Sequence, residues 1–345
     1  MSELEGVGET PLLYIVGTDR PDQLKIGATR FSLGGTTDIY KLLGKSQSYH
    51  RLQMTPNYFR QARRAELSTY SVILNLITEP EENSRVLENL RKLVRGLPGR
   101  VVNHPDAVRR STRDQVAKQL AGTPGLLVPR AIRLRGSKPA YAAQQIERAG
   151  LTFPLILRRV GTHTGKIVGL FDSAGEVAAS LEGGGEYVAT EFVDFASPDG
   201  LYRKYRAFFI GPHIIFRHML VSDNWNVHAK DRNRIMAERN ELLEEEERLF
   251  ERPDGAFPAS VHETLQAVRK RMGLDFFGMD FGLTQDGRVL LFESNATMNF
   301  FPFLPDPRFE YVQRCGPPAE AAFRELLGLP PRRGAVLPEL DRESA

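Results

Sequence analysis

Apolar residues gather in short runs with turn residues between them, and no run is long. Residues 12–16 and 72–77 are nearly unbroken apolar stretches of strand length, the mark of buried strands. Between 82 and 95 the apolar positions Val86, Leu87, Leu90 and Val94 recur at helical spacing, which predicts an amphipathic helix. Residues 1–102 therefore read as an N-terminal α/β domain. Within it, residues 18–60 mix glycine, threonine and charge with no clear period, so no element is assigned there. An Asn-His-Pro-Asp turn at 103–106 marks a domain boundary near residue 103, followed by a capped helix over 111–120 and a Gly/Pro-rich loop ending at Pro129. The pattern then predicts a helix at 141–150, a strand at 153–160, a glycine-bounded turn at 161–165, and strands at 166–171 and 187–195. A hairpin of 205–210 and 213–220 follows around Gly211-Pro212, then helices at 232–250 and 260–272, then a closing strand pair at 276–283 and 288–293. Residues 329–345, rich in proline and charge, read as a mobile tail. No internal repeat is present, and the fold class is α/β (α+β).

Composition narrows the class. With 345 residues, 41% apolar and 26% charged, the chain has enough core for two or three packed domains. The first ten residues are polar and acidic, and the run at 12–16 is too short for a signal sequence or a membrane span. The expected location is the cytoplasm, with no membrane partner. A net charge of +3 is too small to imply nucleic acid as a partner. The single cysteine, Cys315, has no partner for a disulfide or a zinc cluster and reads as a packing residue. Arginine far outnumbers lysine, and its planar fork suits capture of carboxylates and phosphates, although genome base composition explains the same bias.

Candidate chemistry concentrates in the last strand pair. Asp286-Gly287 is a two-residue hairpin signal. Counting outward from it pairs Gln285 with Arg288, Asp280 with Glu293, and Gly278 with Asn295. Alternation then puts Asp280, Glu293 and Asn295 on one face, and Met279, Phe281, Leu283, Leu290 and Phe292 on the other, which must be the core side. Like charges about 5 Å apart across strands destabilise a sheet unless something neutralises them, and a bound cation is the simplest candidate. An all-oxygen donor set suits magnesium, with Gly278 leaving space for the ligand. The bland alternative is a pair of solvated rim charges, which the shared cross-strand position disfavours. Asp280-Phe281-Gly282 imitates a protein-kinase signature, but the other motifs of that family are missing.

Upstream, Phe153 to Val160 ends in Arg158 and Arg159, which face opposite sides of a strand, and Gly161-Thr162-His163-Thr164-Gly165 follows. A cation beside a glycine-containing turn can clasp a polyphosphate, with Thr162 and Thr164 adding hydroxyls, although an ordinary surface hairpin has the same pattern. The order of Phe-Pro, strand, cation, glycine turn, a Glu-Phe-Val segment, and then the Asp280/Glu293/Asn295 hairpin resembles the ATP-grasp superfamily. The likeness is to its ribosomal-protein glutamate ligase and glutathione synthetase branch, over about residues 103–305. The resemblance implies a smaller N-terminal domain (1–102) and two α+β subdomains clasping nucleotide, a central one (103–189) and a C-terminal one (190–328). ATP and magnesium would be the cofactors.

By the same resemblance, Arg158 stands where the family usually has a phosphate-binding lysine. Arg113-Asp114-Gln115 is similar to the first helix, with Gln115 in place of its usual lysine. Cofactor contacts fall on Arg113, Arg158, Thr162, Gly165 and the adenine linker Glu191, Phe192 and Val193; metal ligands fall on Asp280, Glu293 and Asn295. Lys204-Tyr205-Arg206 resembles the strand carrying an arginine toward the reaction centre, which makes Arg206 and Arg217 the catalytic candidates and Asn226 and His228 the substrate contacts. His213 and His218 read as hydrogen-bonded sheet histidines.

The implied activity is attack of a carboxylate, from an amino acid or peptide, on the γ-phosphate to give an acyl phosphate that an amine or other nucleophile displaces. No Ser/His/Asp or Cys/His arrangement competes with it. Kinase chemistry on a small molecule and nucleotide binding without turnover are the alternatives. The family is often dimeric, so a homodimer is a further implication.

Overall fold

The structure is a computed structural model that describes residues 12–20, 24–26, 31–33, 36–44, 47–62, 64–134, 139–160, 167–181 and 185–331. The turn expected at 161–165 and almost all of the expected tail lie outside those residues. Three principal sheets organise the chain.

The N-terminal sheet is wholly parallel, in the order Tyr49–Met54, Leu12–Gly17, Val72–Asn75, Arg100–Val102. Parallel strands are buried on both faces, which is why the two apolar runs are nearly unbroken. Leu13 and Ile15 meet Val86, Leu87 and Leu90 of the Ser84–Leu93 helix on one side. Leu12, Tyr14 and Val16 meet Ile39, Leu42 and Leu43 on the other. Asn83 precedes the helix without capping it. Asp19, from the loop after the first strand, accepts the Arg85 and Val86 amides at 2.7 and 2.9 Å instead.

The central sheet is antiparallel, in the order Ile167–Phe171, Leu155–Arg159, Tyr187–Glu191, Ala131–Leu134. Its core face carries Leu134, Leu155, Leu157, Tyr187 and Ala189 against Ala142, Ile146 and Val177 of the helices Pro139–Ala149 and Ala174–Ala179. Alternation turns Ile156 and Arg158 to the opposite face.

The third sheet runs His213–Ser222, Tyr202–Ile210, Phe276–Leu283, Val289–Asn295, and ends on Leu126–Leu127, which joins it in parallel. One face packs Ala207, Phe209, Phe277, Met279 and Phe281 in a core shared with the helices Arg113–Leu120 and Ala259–Met272. The Arg113–Leu120 helix and the Leu126–Leu127 strand thus side with this sheet, and the central sheet begins only at Ala131. On the opposite face Phe208, Ile210, Ile215 and Phe276 pack against the N-terminal sheet and the C-terminal helix Gly316–Leu326. The apolar half of that face is sealed, and its polar half lies at the seam of the three sheets.

Asn103 closes the seam. It adopts φ 54°, a left-handed conformation that asparagine tolerates better than most residues. Its amide nitrogen donates to the Phe276 carbonyl at 2.8 Å, and its amide oxygen accepts the Asp275 and Phe276 N–H groups at 2.8 and 3.1 Å. The single helix expected over 232–250 is instead three pieces, Asp231–Arg234, Met236–Glu238 and Asn240–Glu251. The break lets Arg232 meet buried Glu246 through two bonds of 2.5 Å, and Tyr311 adds a third at 2.7 Å. Among the described residues no helix is long and apolar enough to cross a membrane.

Candidate active site

The expected pairing of Asp280 with Glu293 and Gly278 with Asn295 is present. The route to it differs from the count. The turn has three residues: Thr284 pairs with Arg288, the Gly287 N–H returns to the Thr284 carbonyl at 2.9 Å, and Gly287 takes φ 82°. That shifts the register by one until a β-bulge at Phe292 restores it. Two corrections follow. Leu290 pairs with Gly282 and so shares the face of Asp280, and the Phe292 ring lies 2.7 Å from where a Gly282 Cβ would stand. The space over Gly278 is not left for a ligand, because the chain turns back after Asn295 and fills it with Met298.

Register now assembles a polar row across four strands. His218 pairs with Arg206, Arg206 with Asp280, and Asp280 with Glu293, all on one face. Arg206 grips Asp280 through Nε at 2.6 Å and Nη2 at 2.8 Å. Arg113 reaches from its helix to Glu293 at 2.7 Å and also takes the carbonyl of the bulged Phe292 at 2.7 Å. The neutralising cations for the acid pair are thus arginines of the chain itself. Burial opposes ionisation of Asp280, but the charge and hydrogen bonds of Arg206, with Lys204 and Arg113, outweigh it and hold the carboxyl below the usual range.

More cations surround the row. Arg158, on the cleft face of the central sheet, is pushed down to about 10 by burial and by Arg113, against the pull of Glu293 and Asp280. Lys204 sits two residues before Arg206 on the same face, 3.8 Å from Asp280, with its Nζ donating to the Val227 carbonyl at 2.9 Å. His218 is held well below its ordinary value by burial and by Arg206, Arg217, Arg232 and Lys204, and its Nε2 is buried with no hydrogen-bond partner among the described residues. His213 does have one, Glu325 at 2.9 Å. From the loop after the Val72–Asn75 strand, Glu79 is raised to about 7 by burial and by the charges of Glu81, Glu82 and Glu293.

The other expected residues have defined places. Arg217 points away from Asp280: it donates to the Phe300 carbonyl at 2.7 Å and the Pro302 carbonyl at 2.9 Å, and lies over the Phe303 ring. Asp38 holds the same segment from the other side by accepting the Phe300 and Phe301 N–H groups. Both lone pairs of the Asn295 amide oxygen are taken by the Thr297 and Met298 N–H groups at 2.9 Å, while its nitrogen donates to Glu293 at 3.1 Å. Glu191 is locked by Arg130 at 2.5 Å and the Thr152 amide at 2.6 Å. The Phe192 N–H goes to the Pro154 carbonyl, and its ring meets Trp225 edge-on at 5.5 Å. Asn226 and His228 flank Val227 in a loop tied by Asn224 and Asp231. Thr162 and Gly165 lie outside the described residues. Lys204 and His218 had a legible signal, since Lys204-Tyr205-Arg206 alternates and His218 lies in the returning strand. Glu79 had none, because its nearness to Glu293 is purely tertiary.

Neither a protein-family profile nor a curated protein sequence matches the chain. Solved structures do. The macrocyclase MdnC from Microcystis aeruginosa MRC, bound with precursor peptide MdnA, superposes with a TM-score of 0.51 at 14% identity, covering 92% of this chain and 99% of that one. The carboxyaminoimidazole ribonucleotide synthase from Aspergillus clavatus, complexed with ATP, gives 0.50 at 14% identity, covering 94% of this chain and 79% of that one. The chain has the ATP-grasp fold. In this fold Arg158 of the central sheet faces the polar row of the third sheet.

Proposed function

We propose that the protein is an ATP- and magnesium-dependent ligase that activates a carboxylate, of an amino acid or peptide, as an acyl phosphate and passes the acyl group to an amine. The observation that carries this reading is the polar row itself. Two carboxylates stand opposite each other on neighbouring strands, and Arg113, Arg158, Lys204 and Arg206 crowd around them in a partly buried seam. That arrangement has too much positive charge for a structural acid pair and suits a polyanion accompanied by a metal.

The donor set fits magnesium. Asp280 and Glu293 offer only oxygen, and each carboxylate oxygen bound by an arginine keeps a second lone pair. Asn295 was expected as a third ligand; with its oxygen already engaged, its part is to orient Glu293. Magnesium, when bound, supplies the charge that offsets repulsion between phosphate oxygens. Arg206 and Arg158 stabilise the charge that develops on the phosphoryl group in flight. The substrate carboxylate oxygen forms a bond to the γ-phosphorus as the bond to the bridging oxygen breaks and ADP departs. The amine then attacks the carbonyl carbon, phosphate leaves with that oxygen, and the nitrogen gives up its proton. Arg217 acts at a distance, fixing the segment after the acidic hairpin. The adenine falls to the Glu191, Phe192 and Val193 linker, beside Trp225, where the Glu191 and Phe192 N–H groups are already engaged by Arg130 and Pro154. Asn226 and His228 offer their side chains to the acceptor.

The test uses a panel of acids and amines with ¹⁸O in the carboxylate. Transfer of ¹⁸O to released phosphate, dependent on both partners, is the expected result. A stable phosphorylated product with no amine requirement would mean a kinase. Failure of the wild-type protein to bind ATP would sink the reading altogether.

A further inference from the structure

Lys204 has more donor capacity than its surroundings use. An ammonium carries three N–H donors, and among the described residues it has one hydrogen-bonded acceptor, the Val227 carbonyl. Asp280, at 3.8 Å, is beyond hydrogen-bond distance and is already held by both nitrogens of Arg206. Lys204 thus adds charge beside Asp280 without spending a hydrogen bond on it. The pairing with the Phe276–Leu283 strand reaches Tyr205 and Phe281, one residue beyond Lys204. Burial, Arg206 and Arg158 disfavour its charge and Asp280 and Glu293 favour it, with burial prevailing. An anion arriving from outside the chain could take the donors that remain.

The position of that anion follows from the row. Lys204 and Arg206 stand two residues apart on one strand, both directed toward the acid pair. Arg158 faces the same acids from the other sheet. We propose that Lys204 is a phosphate-contacting residue, its ammonium meeting the terminal phosphoryl group of a nucleoside triphosphate beside Asp280. This rests on the reading of the seam as an ATP site.

Calorimetry on the full chain separates the two ideas. Wild type, Lys204→Met and Lys204→Arg are titrated, with magnesium, against AMP-PNP, ADP and AMP. The expected result is an AMP-PNP affinity at least about tenfold weaker in Lys204→Met, from loss of one charge-assisted contact, with AMP binding unchanged and Lys204→Arg partly restored. Thermal midpoints of the variants check that each is folded. An equal loss for all three ligands would overturn the proposal, leaving Lys204 a structural tie to the Val227 loop, as would no loss at all. Wild type binding none of the three would overturn the ATP reading and the Lys204 assignment with it.

Discussion

Asp280 is only 5% exposed and has its charge balanced chiefly by Arg206, with Lys204 and Arg113 adding to it. Removing one partner of a buried pair strands the other, so Asp280→Asn is expected to cost about 3 kcal/mol of stability and to abolish magnesium-dependent nucleotide binding. The sign of its pH dependence is fixed. A carboxyl whose folded value is depressed stabilises above its unfolded value, and that stability is lost as pH falls through the folded one. Denaturant midpoints should therefore converge between wild type and Asp280→Asn on the acid side, below about pH 4. Glu79 has the opposite sign. Raised to about 7 by burial first and then by Glu81, Glu82 and Glu293, it contributes stability that is full below its unfolded value and lost as pH rises through 7. Glu79→Gln should match wild type near pH 4 and exceed it at pH 8 by up to about 3 kcal/mol in urea unfolding. The acid pair was legible because strand pairing is countable in sequence, whereas Glu79 reaches Glu293 only through the packing of the N-terminal sheet against the third.

The acidic hairpin is where counting reached the right pairing by an incomplete route. A three-residue turn ending in left-handed Gly287 and a bulge at Phe292 each shift the register by one, in opposite senses, so the two errors cancel at Asp280 and Glu293. Neither device has a periodic signature, since a bulge changes pairing without changing composition. What the bulge does change is the face: Phe292 and Leu290 join the site side and bound the row. The edge strand Tyr49–Met54 escaped notice for a related reason, being exposed along most of its length and lacking an apolar alternation. Gly278 offers an element-scale test. A Cβ there would stand 2.7 Å from the Met298 sulfur and 2.8 Å from its Cβ, and the latter cannot swing away. Gly278→Ala should lose about 1–3 kcal/mol by thermal or denaturant unfolding, with disturbance centred on the turn after Asn295.

The N-terminal and third sheets share their apolar cores, while the central sheet has one of its own and is tied to the others by charged side chains. The central sheet's core shares no member with the cores of the other two. Arg133, on its Ala131–Leu134 strand, is one such tie: it meets Asp114 of the Arg113–Leu120 helix at 2.8 Å, Glu186 at 3.1 Å, and Glu81 of the loop after the Val72–Asn75 strand. The first of these contacts holds the central sheet beside Arg113 and the third holds it beside Glu79. Arg133→Ala leaves every apolar core intact while freeing three carboxylates that repel one another. The seam should therefore loosen without the cores melting. Hydrogen exchange is expected to quicken in residues 128–134 and at the start of the Arg113–Leu120 helix, with the Phe276–Leu283 strand unchanged, and nucleotide affinity should weaken by about tenfold because Arg158 is carried away from the acid pair. Uniform acceleration across all three sheets would instead mean that they unfold as one unit and that Arg133 stabilises the whole chain rather than its closed form.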